Sequence, residues 1–346
     1  NFEIYNYTNS PILNAVGDAI ENNRITGMEF DDEGILWMAN NSASTPIVTL
    51  AADGTWKAFP VVGGTRSLVQ IAIDEADNKW FTTYNNGLMI FNEGDEFDNN
   101  SDNRTRHLTS VNSELLSEVT NCLVVDKEGE VWVGTSQGVV IFDCGGNVFD
   151  TSNCRGERRI IAREDGNNEY LLKPENVRAI AVDGANRKWF GTENGVFVTS
   201  ADGLDDIHHF TKDNSPLFSN KINTISINDE GEVFIGTDAG VITYKSDATT
   251  GKKIHSSDVY AYPNPVTSDY EGPIAINGLP QNADFKITDI NGTLIHEGIA
   301  NGGQAIWDGK DYNGRKASSG VYLVFSANAN NPQNPNGHVA KLLFMK

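Results

Sequence analysis

Five times in this chain an acid or amide stands six residues before a large aromatic. The pairs are Asp31 and Trp37, Asp74 and Trp80, Asp126 and Trp132, Asp183 and Trp189, Asn228 and Phe234. Around them one phrase recurs: "DNKWFTTYNNG" at 77–87, "GEVWVGTSQG" at 129–138 and "NRKWFGTENG" at 186–195. Successive aromatics lie 43, 52, 57 and 45 residues apart, so insertions fall between the units and not inside them. Self-similarity at such a period is the mark of a repeat architecture.

Each unit reads alike. A β-branched run is followed by a turn of the D-x-x-G kind, a strand carrying the aromatic, a short polar loop ending in Gly, and a third strand. A more variable fourth strand follows, as in "TRHLT" at 105–109 and "IHHFT" at 207–211. Four antiparallel strands per unit make one blade of a β-propeller. A lone blade leaves both faces wet; stacked radially, each covers its neighbour. Burying one Trp removes about 150–250 Å² from water, worth roughly 4–6 kcal/mol before entropy is charged. The repeated indole therefore reads first as a wedge between blades. Gly134, Gly191 and Gly236 beside three of the aromatics read as places of close backbone approach. The expected fold is all-β, with a propeller of five recognisable blades over residues 1–250. The opening "FEIYNYTNSPIL" (2–13) is similar to "IHHFTKDNSPLF" (207–218), an outer strand with its exit loop. Residues 2–8 are expected to pair with the fifth unit, which lacks an outer strand, and so close the ring. A longer parent with further propeller upstream accounts for the same beginning.

The repeat over 25–245 resembles the two-component-regulator propeller repeats of Bacteroidetes proteins. In that family the repeats usually form periplasmic sensor domains ahead of a transmembrane helix and a kinase, and neither follows here. The last ninety residues change character. "DING" (289–292) and "DYNG" (311–314) end in Asn-Gly, the preferred type I′ hairpin turn, and "DFKITDI" and "GVYLVFSAN" alternate. Six or seven short strands in this length predict a small immunoglobulin-like β-sandwich over 258–346. The order Tyr262-Pro263-Asn264-Pro265, then D-I-N-G, then the W-D-G-K-D-x-N-G-R run holding Asp308 and Gly309, then S-G-V-Y with Gly320 and Tyr322, then a last strand ending at Lys346, resembles the C-terminal sorting domain of type IX secretion cargo. "WDGKDYNGRKASSGVY" is also similar to modules of flagellar hook-capping proteins; terminal position and the Pro-Asn-Pro start favour sorting. The resemblance implies export across an outer membrane to the cell surface or beyond, with the secretion machinery as partner. The PorZ-like family, a surface component of that machinery, joins regulator-type propellers to such a domain and keeps it. That family has two propellers, and one is evident here.

Charge narrows the partners. The net charge is −21. Residues 258–346 hold 8 acids and 6 bases, so about −19 falls on residues 1–257. Such a surface repels phosphate backbones, which argues against nucleic acid. Basic partners or divalent cations would be tolerated, though acidic turns commonly serve solubility alone. No run of 18 apolar residues predicts a membrane span. No signal peptide is visible; an exported chain would carry its leader upstream of residue 1. Cys122 in "CLVV" reads as a small buried hydrophobe. Cys144 and Cys154 bracket a Gly-rich turn and could close a disulfide in an oxidising compartment. Without a CxxC or a nearby His they make a poor metal site.

The search for chemistry finds no H-E-x-x-H, G-x-S-x-G or P-loop, and no cofactor is expected. His208 and His209 are adjacent on a strand and point to opposite faces. Asp95, Asp98 and Asp102 could offer oxygens to Ca²⁺, but EF-hand spacing and its terminal Glu are missing. Propellers bind where inter-strand loops converge. Here those loops carry Asn40, Asn41, Tyr84, Asn85, Gln137, Glu193, Asn194 and Asp238, all at one blade position. A polar ligand, such as lipopolysaccharide or another glycan, or an outer-membrane protein could dock there; loops are also polar simply because they are wet. The leading expectation is a non-enzymatic propeller protein exported by type IX secretion, PorZ-like in role. A secreted polysaccharide lyase or glycoside hydrolase, needing convergent carboxylates or a Tyr/His pair, is the rival. A sensor ectodomain is the third reading.

Overall fold

The computed structural model describes residues 2–17, 22–61, 65–94, 101–150, 154–162, 168–252, 259–327 and 338–345. Among them the chain is all-β, with one short 3₁₀ turn at Gly145–Asn147 and no α-helix. Five antiparallel sheets follow one another. The first joins Ile25–Phe30, Leu36–Asn40, Ile47–Leu50 and Trp56–Phe59; the second joins Leu68–Ile73, Lys79–Thr83, Leu88–Asn92 and Arg104–Leu108. The third has Thr120–Val125, Val131–Thr135 and Gly138–Phe142, extended by a bridge between Ile141 and Glu157. The fourth has Ala179–Val182, Lys188–Gly191, Val196–Thr199 and Asp206–Phe210, and the fifth has Ile222–Ile227, Glu232–Thr237 and Gly240–Lys245.

The six-residue spacing has a physical cause. Asp31 spends one carboxylate oxygen on its turn, accepting from Ile35 N at 2.8 Å, and the other on the indole N–H of Trp37 at 2.7 Å. Asp74, Asp126 and Asp183 repeat this, with Trp80, Trp132 and Trp189 donating at 2.8, 3.2 and 3.0 Å. A buried indole N–H needs an acceptor, and the turn supplies it. In the fifth unit both partners change together. Phe234 has no N–H to satisfy, and Asn228 keeps only the turn, accepting from Glu232 N at 2.8 Å.

Each Trp meets an aromatic of the next sheet. Ring centroids are 6.1 Å apart for Trp37 and Phe91, 5.5 Å for Trp80 and Phe142, 6.1 Å for Trp132 and Phe190, and 5.7 Å for Trp189 and Tyr244. This is the radial stacking of a propeller, and all four indoles are fully buried. Gly134 and Gly191 sit where a Cβ would strike Val177 and Ile222 of the following sheet. Two lysines add straps. Lys79 of the second sheet lies 4.1 Å over the Trp37 ring and bonds Glu93. Lys188 of the fourth lies 4.6 Å over Trp132 and bonds Asp126 at 2.6 Å.

The expected closure by residues 2–8 is not formed. The inner strands pack in series from first to fifth, and among the described residues the fifth sheet does not pack on the first. Met28 and Phe30 on the first sheet remain 61% and 63% exposed, and Phe234 on the fifth 38%. Tyr5 lies 5.1 Å from Trp56, on the outer strand of the first sheet, which holds the segment there. Its likeness to an exit loop is real at the level of bonds. Asn9 Nδ2 donates to Ile4 O, as Asn112 does to His107 O and Asn214 to His209 O.

The C-terminal segment forms two sheets over one core. Tyr260–Tyr262, Ile274–Asn277 and Gln304–Trp307 make one; Leu294–Ile299, Asp284–Asp289, Gly320–Ala327 and His338–Phe344 make the other. Trp307, Tyr322 and Phe344 meet at its centre, with centroids 5.2–5.8 Å apart. The two Asn-Gly turns are not type I′, which requires positive φ at both central residues. Only Gly292 (φ 83°) and Gly314 (φ 74°) have it. The Asp ahead of each turn makes the difference: Asp289 Oδ1 accepts from Asn291 N and Thr293 N at 2.8 and 2.9 Å, giving a three-residue loop.

Candidate functional site

The strand order dictates where the loops gather. In every sheet the second strand ends at the edge where the first begins, so the loops after the second strands lie with the entries to the first. Backbone bonds fasten them there: Asn41 N to Arg24 O at 2.7 Å, Tyr84 N to Ser67 O at 3.0 Å, Ser136 N to Val119 O at 3.1 Å, and Asp238 N to Lys221 O at 3.3 Å. A threonine three residues after four of the five aromatics closes its loop. Thr83, Thr135, Thr192 and Thr237 donate from Oγ1 to the carbonyls of Gly87, Gly138, Gly195 and Gly240 at 2.8–3.1 Å.

Within this frame the eight loop candidates divide. Asn40 replaces the threonine in the first unit and is fully buried, and neither of its side-chain polar atoms has a hydrogen-bond partner among the described residues. Asn41 is half-buried and donates to Leu68 O at 2.5 Å. These two are structural in the arrangement seen. Tyr84 is 72% exposed, and Asn85, Gln137 and Asp238 are also exposed. Glu193 and Asn194 are exposed but engaged. Arg178 Nη1 lies 3.6 Å from Glu193, and Asn194 Nδ2 donates to both oxygens of Glu175 at 3.0 and 2.9 Å.

Neighbours of these residues carry polar groups that the loop pattern alone did not mark. Gln70 bridges two sheets, donating to Leu123 O and accepting from Leu123 N, both at 3.1 Å. Asn121 donates to Asn176 Oδ1 and Val177 O, both at 2.9 Å. The signal in the sequence was a lone amide inside these two runs, Gln70 in "LVQIAI" and Asn121 in "TNCLVV". The face is thus a polar rim with pre-formed bonds between sheets, fit to present hydroxyl-seeking groups. Among the described residues no group of three or more His, Cys, Asp or Glu is arranged to hold a metal. Asp102 is described, while Asp95 and Asp98 lie outside the described residues. His208 and His209 do separate: His209 stacks on Phe197 at 3.9 Å, and His208 turns towards Phe210 at 5.2 Å.

The sulfur chemistry is settled by position. Cys144 and Cys154 form a disulfide, and Cys122 is a buried free thiol whose pKa burial pushes up to about 12. Arg106 of the second sheet reaches over the disulfide-closed loop and donates to the carbonyls of Val148, Asp150 and Cys154 at 2.5, 3.2 and 3.0 Å.

The C-terminal motif residues are placed by the same logic. Asn264 splices the Pro-Asn-Pro turn to the last strand, donating to Lys341 O at 2.8 Å and accepting from Leu343 N at 3.0 Å. Pro263 and Pro265 flank it, both after cis peptide bonds. Asp308 caps its turn through Lys310 N at 3.0 Å, Gly309 O accepts from Ala317 N at 2.8 Å, and Tyr322 donates to Ser318 O at 3.0 Å. Gly320 opens the strand Gly320–Ala327. Lys346 lies outside the described residues.

The family model "Two component regulator propeller" matches residues 114–137, the approach to the third sheet, its first two strands and the start of the following loop. No curated protein sequence matches the chain. Among solved structures, PorZ, an essential bacterial surface component of the type-IX secretion system of Porphyromonas gingivalis, superposes with a TM-score of 0.66 at 25% identity. The superposition covers 99% of this chain and 47% of PorZ, so this chain spans about half the length of that structure. An extracellular domain from B. thetaiotaomicron, described as that of a hybrid two component system, gives a TM-score of 0.45 at 14% identity over 96% of this chain and 45% of its own. Virginiamycin B lyase from Staphylococcus aureus gives 0.42 at 13% identity, covering 91% of this chain and 94% of its own. Among the described residues no helix is long and apolar enough to cross a membrane.

Proposed function

We propose that this chain, a propeller of regulator-type repeats with PorZ-like architecture, is a cell-surface protein that binds and does not catalyse, and that it serves a type IX secretion machinery. One observation carries the reading: a single superposition on PorZ takes in 99% of the chain, so propeller and C-terminal domain are matched together. A shared propeller alone would leave function open. Residues 258–346 act as the immunoglobulin-like sorting domain, whose Pro-Asn-Pro turn is riveted to the last strand through Asn264. The loop rim around Tyr84, Gln137 and Asp238 meets the partner, an outer-membrane protein or an envelope glycan. Its polar groups are already bonded across sheets, which suits recognition at little ordering cost.

Two measurements test this. In the native host, a chromosomal copy ending at residue 257 should vanish from the surface when intact cells are treated with protease; a truncated chain still displayed there would sink the sorting assignment. Purified full-length protein incubated with envelope polysaccharide should bind without releasing new chain ends. Sustained turnover would replace the binding role with an enzymatic one.

A further inference from the structure

The end of the propeller opposite the loop rim meets the C-terminal domain, and the two enclose a cleft of about 680 Å³. Its floor is the outer face of the three-stranded sheet. Register places Tyr260 opposite Asn277, which is opposite Gln304; the next row is Tyr262, Ala275 and Ile306. Between the two tyrosines Ala261 turns into the core, so both rings stand on the outer face. They are 56% and 68% exposed. The far wall is the turn of the fifth unit with Asp229 and Glu230, and the segment that leaves the fifth sheet.

A wetted sheet face ordinarily carries small polar or charged groups. Here two aromatic rings stand i and i+2 on one strand, about 7 Å apart along it. That is the scale of neighbouring rings in an oligosaccharide. Beside them Ala275 leaves a depression, Asn277 offers an amide, and Asp229 and Glu230 offer carboxylates across the gap. Aromatic platforms bordered by amides and carboxylates suit sugars, whose C–H faces stack and whose hydroxyls donate. Asp247, at the cleft edge, is already held by Arg187 at 2.7 Å and by Asn301 at 3.0 Å. It therefore serves the frame and not a ligand. Lys245 and Lys252 line the same wall as Asp229 and Glu230, with Lys245 Nζ donating to Glu230 O, so the cleft's own charges nearly balance; the acidity that acts there is that of the propeller as a whole. An anionic polysaccharide is disfavoured there.

We propose that this cleft binds an uncharged oligosaccharide, with two successive sugar rings stacked on Tyr260 and Tyr262 and their hydroxyls bonded to Asp229, Glu230 and Asn277. The site is separate from the loop rim, and it stands whether or not the rim binds anything.

The test is calorimetric titration of the full chain with a panel of neutral hexasaccharides (cello-, xylo-, malto- and chito-) and with dextran sulfate as the anionic probe. At least one neutral member should bind. Tyr260→Ala and Tyr262→Ala should each weaken it roughly two- to tenfold, and Tyr262→Phe, which keeps the ring, should bind near the parent value. Asp206→Asn, on the exposed outer strand of the fourth sheet, should change nothing. Both tyrosines are solvent-facing, so an unchanged melting temperature shows that the alanine variants fold. No binding by any neutral member, binding indifferent to both alanine variants, or binding of dextran sulfate alone would each overturn the proposal.

Discussion

Asp126 does three jobs with two oxygens. One carboxylate oxygen caps its turn, and the other accepts from the Trp132 indole and from the ammonium of Lys188, whose side chain is fully buried. Burial by itself would raise the Asp126 pKa; the hydrogen bond and charge of Lys188, with the backbone amides of Glu128 and Glu130, outweigh it and hold the carboxyl below its ordinary value. A carboxyl lowered in the fold contributes stability that is complete above the unfolded value of about 3.9 and is lost as pH falls through the folded value. Asp126→Asn keeps an acceptor for the indole but strands Lys188 without a counter-charge. It should cost about 3–5 kcal/mol in urea unfolding at neutral pH and should flatten the acid limb of the stability curve. A loss under about 1 kcal/mol would mean that the lysine finds water instead. Lys188 and Lys79 were printed in the recurring phrases, as "RKWF" and "NKWF", yet local alternation reads such a lysine as a solvent-facing strand residue. The rings they cover, Trp37 and Trp132, lie in the preceding unit, as does Asp126 beneath Lys188, and no local pattern in the strand points to them. Cys122 gives a second check at this scale. Its thiol, pushed up to about 12, should not react with a thiol reagent at pH 8 in the native chain. Unfolding without reductant should expose one thiol, and reduction three; a fast-reacting thiol in the folded protein would contradict the burial.

At the scale of elements, the third sheet stands apart from its siblings, because Ile141 bridges Glu157 where the first, second and fourth add a full strand. The intervening loop is held by the Cys144 to Cys154 disulfide and by Arg106. A cross-link closing so short a loop should be worth about 2–4 kcal/mol. Unfolding free energies extrapolated from urea titrations with and without reductant should differ by that much with a nearly unchanged slope. A changed slope would indicate that reduction unfolds the loop already in the native state. The strands themselves were legible because period-two alternation and D-x-x-G turns are local signals. Two predictions failed for non-local or too-local reasons. The Asn-Gly pairs suggested two-residue turns, while the Asp two residues earlier recruits its own backbone amides and lengthens the loop. The likeness of residues 2–13 to an outer strand with its exit loop holds for the loop, as the Asn9 bond shows, while residues 2–8 form no strand. Pairing of that segment depends on how the ring closes, which no stretch of twelve residues encodes.

At the scale of the whole molecule, the junction between propeller and C-terminal domain is made of backbone. Thr249 bridges Gly302, Lys252 bridges Pro280, and Gln281 Nε2 donates to Gly184 O at 2.7 Å. Gly302 has φ 65°, and a Cβ there would lie 2.1 Å from Thr249 O and 2.5 Å from Gly184 O. Such contact leaves no room for a side chain, so the two domains are expected to move and melt as one body. The sequence changes character near residue 258, but Gly302 and Gly303 looked like an ordinary turn, because the surface they meet is about 50–120 residues upstream. Gly302→Ala adds left-handed strain of about 1–2 kcal/mol to a clash with backbone that cannot yield. Its expected effect falls on docking and not on either core. Calorimetry should then split one heating transition into two, and small-angle scattering should show a larger radius of gyration, while the far-ultraviolet spectrum stays that of a β protein. The same variant should weaken any ligand held in the cleft, since floor and wall belong to different domains. A single transition at an unchanged temperature with unchanged scattering would show that the two domains are held by something other than this glycine-lined seam.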